Sequence, residues 1–182
     1  MICKGKNEGR IELILGPIFS GKSAQLIEVI RKHSCSAKKT VIVKFYAEKD
    51  SEKSEIITHD LIKYDSINCK KLRDSFNIIK TYDVIRMDEG QSFSHLVEVS
   101  EELALLKKIV VIAALNGDYK MAPFPVITRI ISRADKLKLL KAYCYNCYRD
   151  AKFSLYYGQK VNQKKMKVNI SLYVGNSINC FQ

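Results

Sequence analysis

The apolar run Ile11 to Leu15 (IELIL) leads straight into Gly16, Pro17, Ile18, Phe19, Ser20, Gly21, Lys22 and Ser23. No other stretch limits the possible folds as tightly. The pattern G-x-x-x-x-G-K-[ST] works as a phosphate cradle when a strand precedes it and a helix follows. Its glycines let the backbone curl so that successive N–H groups point inward, and the helix adds its positive end to the same pocket. Both flanks are present. From Lys22 to His33 the apolar residues Leu26, Ile27, Val29 and Ile30 recur at helical spacing. Lys22 is expected to reach the β- and γ-phosphates of a triphosphate, and the Ser23 hydroxyl to take one Mg2+ position.

The rest of the chain supplies a matching scaffold. Thr40 to Phe45 (TVIVKF) reads as a strand, Leu72 to Ile79 as a helix and Asp83 to Met87 as a strand. His95 to Leu106 reads as a helix and Lys108 to Ala114 as a buried strand, while the charged stretch Ala47 to Glu55 lacks periodicity and reads as a loop. Strands alternating with helices predict an α/β fold, a parallel sheet with helices on its faces. Pro123 and Pro125 break that alternation, and Asp135 to Tyr143 is expected to give one more strand. Short β-like runs follow at Lys152 to Tyr157 and Lys167 to Tyr173. The organisation predicted is a P-loop domain over 1–143 and a small cysteine-bearing unit over 144–182.

A P-loop needs a carboxylate at the end of a nearby strand to help hold the metal. Asp88 follows Val84-Ile85-Arg86-Met87 at that place, and Glu89 beside it is placed to act as a general base. Arg86 is unusual for a buried strand and is expected to face solvent or a subunit contact. Among the six cysteines, Cys3, Cys35 and Cys69 are scattered, whereas Cys144 and Cys147 form a C-x-x-C pair with Cys180 beyond. The start MICKGKNEGR has no apolar stretch behind it, and no apolar run approaches the roughly 20 residues that cross a bilayer. A cytoplasmic, reducing setting is therefore expected, where paired cysteines serve more often as metal or redox ligands than as disulfides. His33, His59 and His95 are read as structural or solvated.

With these residues in view, the chain resembles the thymidine kinases of the cellular and poxvirus type. The likeness rests on GPIFSGKSA at Gly16 to Ala24, THD at Thr58 to Asp60 and MDEGQSF at Met87 to Phe93. It continues through AALNGDYKMAPF at Ala113 to Phe124 and YCYNCYRDAKFS at Tyr143 to Ser154. The resemblance implies transfer of phosphate from ATP with Mg2+ to the 5′-hydroxyl of thymidine. It implies a RecA-like P-loop domain, a small zinc-ribbon-like domain with a lasso over the nucleoside, and a homotetramer. Glu89 would be the base, with Asp88, Gly90 and Gln91 completing the ATP side. Tyr119 would lie against the nucleoside, and Lys164, Lys165, Met166, Lys167, Val168 and Tyr173 would bind it through the lasso. Phe93, Leu115, Phe124 and Ser154 stand as further base-pocket candidates.

The chain also departs from the family. Two C-x-x-C pairs are usual, but the second reads Ser177-Ile-Asn-Cys180 here. Zinc prefers four N or S ligands, which leaves three outcomes: Cys144, Cys147 and Cys180 with an outside ligand, a weakened site, or no zinc. Lysines replace an expected Gly-rich, acidic lasso, Asp50 lacks the arginine expected beyond it, and Asn116 stands where aspartate is common. A second reading uses the formal charge of +12: a basic P-loop ATPase that binds nucleic acid through a zinc-ribbon-like module.

Overall fold

The structure is a computed structural model, and it describes residues 8–34, 38–46, 53–57, 63–156 and 173–176. The first strand, β1 (Arg10–Gly16), is followed by helix α1 (Lys22–Ser34) and strand β2 (Thr40–Phe45). Then come β3 (Lys53–Ile57), β4 (Lys63–Cys69), α2 (Leu72–Ile79) and β5 (Val84–Asp88). A short 3-10 turn at Gly90–Ser92 leads to α3 (Leu96–Leu105), β6 (Ile109–Leu115), α4 (Pro125–Ile131) and β7 (Lys136–Leu139). Four short strands close the described chain: β8 (Ala142–Tyr143), β9 (Asp150–Ala151), β10 (Phe153–Tyr156) and β11 (Tyr173–Asn176).

Seven strands form one sheet in the order β3-β4-β2-β5-β6-β1-β7. Six run parallel, and β3 lies antiparallel to β4 at one edge. The α/β expectation holds. The phosphate-loop strand β1 and the acidic strand β5 are not neighbours; β6 lies between them, with Gly16 opposite Leu115 and Met87 opposite Ile112. Three strand ends thus sit side by side, at the carboxyl edge where open α/β sheets bind ligands.

Period-2 alternation divides the sheet into two faces. On one, Leu13, Leu15, Val43, Met87 and Ile112 pack with Leu72, Leu96, Leu103 and Ile130 from α2, α3 and α4. On the other, Ile14, Val84, Val111 and Ala113 pack with Leu26 of α1. Each large aliphatic side chain so buried stabilises the fold by about 1.5–3 kcal/mol, which is what holds the three strand ends still.

Several expectations are corrected. Arg86 is 0% exposed, not solvent-facing; it shares the face of Val84 and lies in register between Ile42 and Val111. Pro125 does not simply break the chain but opens α4, where its fixed φ and missing N–H suit the first helical position. The charged stretch read as a loop gives its last three residues to β3. Asp135 to Tyr143 yields two strands in different sheets, because the chain leaves the main sheet after Leu139. Strand β4 (KYDSINC) carries no alternation that would have announced it.

From Ala142 onward the strands form two antiparallel pairs, β8 with β9 and β10 with β11. Among the described residues here, Ala142, Cys144 and Ala151 form a buried cluster with Cys147 against it.

Candidate active site

The P-loop takes its shape from local bonds. The Ser20 N–H donates to the Pro17 carbonyl at 3.3 Å, and the Gln25 N–H to Gly21 O at 2.9 Å as α1 begins. Gly21 has φ 79 with open space around it, a conformation that side-chain-bearing residues adopt only at a cost. Lys22 Nζ donates to Pro17 O at 2.7 Å. Burial lowers the Lys22 ammonium below the usual lysine value, and the negative fields of Glu89 and Asp88 oppose that shift. The Ser20 hydroxyl is buried with no hydrogen-bond partner among the described residues. An acceptor-rich phosphate fits such a donor.

The acidic strand meets this loop directly. Ser23 Oγ donates to Asp88 Oδ2 at 3.2 Å, although 65 residues separate them in sequence. A hydroxyl and a carboxylate this close are a suitable oxygen pair for Mg2+. Glu89 follows in the left-handed region at φ 56. Behind it, Gly90 is pressed on β6 so closely that a Cβ would lie 2.5 Å from Ile112 Cγ2. Nothing larger than glycine fits without moving the loop or Ile112.

Gln91, expected on the ATP side, is engaged at both ends of its amide. The Leu115 N–H donates to Gln91 Oε1 at 3.0 Å, and Gln91 Nε2 donates to the Glu89 carboxylate. The first bond fixes which end is oxygen, so the second must be a donation that steadies the carboxylate.

The remaining candidates are placed unevenly. Tyr119 is partly exposed in a turn held by Asp118, whose Oδ1 accepts from the Lys120 and Ala122 amides. The Lys120 ammonium lies 5.6 Å from its ring centroid. Phe93 is 1% exposed and stacks edge-on against Phe45 at 5.5 Å, so it belongs to the core rather than to an open pocket. Phe124 also packs on that core. Tyr173 lies in β11, its backbone paired with Tyr156. Lys164, Lys165, Met166, Lys167, Val168, Asp50, His59, Ser177 and Cys180 lie outside the described residues.

Cys144 and Cys147 share the turn between β8 and β9. The Cys144 N–H donates to Arg149 O at 2.7 Å and the Tyr148 N–H to Cys144 O at 2.9 Å. No group of three or more metal-ligating side chains occurs among the described residues.

Sequence reading missed two long-range bonds. Ser154 Oγ accepts the Ile18 N–H at 3.0 Å, and Asn116 Nδ2 donates to Lys152 O at 2.9 Å. One partner of each pair is a backbone group, so side-chain chemistry along the chain gives no signal for them.

The fold and this site define an α/β protein with a P-loop and an acidic strand end meeting at the carboxyl edge of a mostly parallel sheet. Residues 9–180 match the family model described as thymidine kinase. The chain belongs to the thymidine kinase family. It is 39% identical over 152 residues to thymidine kinase 1 of Dictyostelium discoideum, covering 80% of this chain and 66% of that one. The thymidine kinase of Vaccinia virus (strain Western Reserve) is 36% identical over 154 residues, covering 85% of this chain and 86% of the viral one. The flagellar accessory protein FlaH from Methanocaldococcus jannaschii shares the fold, with TM-score 0.53 and 16% identity over 85% of this chain and 75% of that chain. No helix among the described residues is long and apolar enough to cross a membrane.

Proposed function

We propose that this chain transfers the γ-phosphoryl group of ATP to the 5′-hydroxyl of thymidine, with Glu89 as the base. Membership of the thymidine kinase family sets the reaction. The observation that supports the residue roles is the Ser23–Asp88 hydrogen bond, which joins P-loop and acidic strand, with Glu89 one residue further on. Glu89 accepts the 5′-hydroxyl proton as that oxygen bonds to the γ-phosphorus and the bond to the β-γ bridging oxygen breaks, releasing ADP. Lys22 exchanges the Pro17 carbonyl for phosphate oxygens and neutralises their charge. Ser23 and Asp88 would hold Mg2+, which supplies further charge neutralisation when bound. Most of the rate acceleration in such a site comes from positioning and electrostatics.

Gln91 acts here on Glu89 rather than on ATP. Tyr119 and Tyr173, with 164–168, form the nucleoside side. Residues 144–182 make up a separate small domain in which Cys144, Cys147 and Cys180 bind a structural zinc; the tight Cys144–Tyr148 turn supports that reading. The enzyme works in the cytoplasm as a homotetramer.

A coupled ADP-release assay with Mg2+, ATP and each deoxynucleoside in turn tests the proposal. Thymidine should give the highest kcat/KM. ADP release that ignores nucleosides but rises with DNA or RNA would instead support a nucleic-acid-dependent ATPase.

A further inference from the structure

A chain of hydrogen bonds passes around the site through protein groups alone. It starts at Glu89, which Gln91 ties to the Leu115 N–H at the end of β6. The next residue, Asn116, donates to the Lys152 carbonyl at 2.9 Å, just ahead of β10. Two residues on, Ser154 Oγ accepts the Ile18 N–H of the P-loop at 3.0 Å. Ser154 is 4% exposed, which limits the access of water to its side of this part-buried bond. In register it lies opposite Gly175 of β11, the strand that begins with Tyr173.

P-loops hold phosphate through main-chain amides. Here the Ile18 amide donates to a side chain of β10. Freeing that amide without a new acceptor would leave a donor unpaired, so the first half of the loop and β10 move together. The Asn116 bond adds a second tie, from the residue just ahead of β10 to the strand end bonded to Gln91. These ties place one short strand in contact with the nucleotide loop and with the scaffold of the base.

We propose that Ser154 couples the two substrate subsites: nucleoside seated beside the β10–β11 pair tightens the P-loop on ATP, and ATP tightens nucleoside binding. This rests on the proposed nucleoside side, which includes Tyr173 of β11, the strand paired with β10. Ser154 is a positioning residue; it acts through the Ile18 amide. Linkage requires the effect to be reciprocal.

Calorimetry with Mg2+ and a non-hydrolysable ATP analogue, with and without saturating thymidine, measures the coupling. In the wild-type protein thymidine should lower the analogue's Kd by about five-fold or more, the lower end of ordinary coupling energies. Ser154→Ala should bring that ratio below about two, whereas Ser154→Thr, which keeps the hydroxyl acceptor, should restore it. A wild-type ratio near one, or an undiminished ratio in Ser154→Ala, overturns the inference. If Ser154→Ala does not fold, hydrogen exchange on the wild-type protein decides. Thymidine alone should slow exchange in the peptide containing Ile18, and unchanged exchange there counts against the coupling. Turnover is measured on the same wild-type preparation. Thymidine phosphorylation without coupling sinks this inference alone, whereas no phosphorylation sinks the kinase reading itself.

Discussion

Two regions of the described structure, the main sheet and the short strands from Ala142 onward, are packed to different extents. The ends of β1, β5 and β6 rise from a sheet packed on both faces, with Leu13, Leu15, Met87, Leu96, Leu103 and Ile112 at most 2% exposed. From Ala142 onward the described residues bury two alanines and Cys144 together, with Tyr143, Tyr145 and Tyr148 exposed at 80%, 70% and 80%. At about 0.8 kcal/mol per buried methylene, these three side chains by themselves offset little of the entropy of ordering a chain segment. The sheet holds its strand ends by burial, whereas the region from Ala142 is tied to them by the Ser154 and Asn116 bonds, with the proposed zinc ligation as a further support. A small unit of this kind commonly relies on a metal for stability.

The comparison breaks most directly at the metal. Structural zinc contributes about 10–16 kcal/mol of apparent binding free energy in small peptides, so its removal is the largest effect expected. Metal analysis should find zinc bound by the purified protein. Chelation, or Cys144→Ser, should abolish hydrogen-exchange protection over 142–156 while β1, β5 and β6 keep theirs. Equal protection before and after chelation would show that the appendage stands without metal. Next in size is Glu89→Gln. Loss of a general base costs about 10²- to 10⁴-fold in rate, and kcat should fall by that much while ATP binding, which rests on the sheet, stays nearly unchanged. Near-full turnover would remove Glu89 from the role.

Gln91 sharpens the same contrast inside the better-packed half. A hydrogen bond to a charged group contributes about 1.5–3 kcal/mol, so Gln91→Ala should lower kcat roughly ten- to hundredfold. If Gln91 steadies Glu89, the KM for ATP should change little. A matching rise in the KM for ATP, with kcat preserved, would return Gln91 to the nucleotide side.

What the sequence announced and what it withheld follow the same division. The placement of the P-loop and of the acidic strand end Asp88–Glu89 was legible because these are contiguous residues bounded by strong apolar runs. Helix α4 was missed because Pro125 was read as a breaker, though it occupies the first helical turn. Strand β4 was missed because KYDSINC is polar and is ordered by pairing with β2 and β3. The Ile18–Ser154 and Asn116–Lys152 bonds span 136 and 36 residues. No local pattern encodes such contacts; they arise only once β10 is laid beside the ends of β1 and β6. Arg86 was misplaced because an arginine in a strand usually marks a solvent face, whereas the alternation set by Val84 carries this one inward.

The smallest expected effect lies at the far end of β1, where Glu12 accepts from Arg10 Nε at 2.5 Å and Lys136 Nζ lies 3.5 Å away. Burial by itself would raise the Glu12 pKa, but the hydrogen bond and charge of Arg10, joined by Lys136, outweigh it, and the net shift is downward. A carboxylate whose pKa is lower folded than unfolded adds stability above the unfolded value and loses it as pH falls through the folded one. Glu12→Gln should therefore cost about 1 kcal/mol or less near neutrality, and wild type and variant should converge in acid, below the ordinary glutamate range. Urea unfolding of both proteins at neutral and acidic pH measures the difference. A gap that persists in acid would assign the loss to packing at the β1–β7 edge, and a gap of several kcal/mol would mean that the sheet depends on this ion pair far more than its apolar faces suggest.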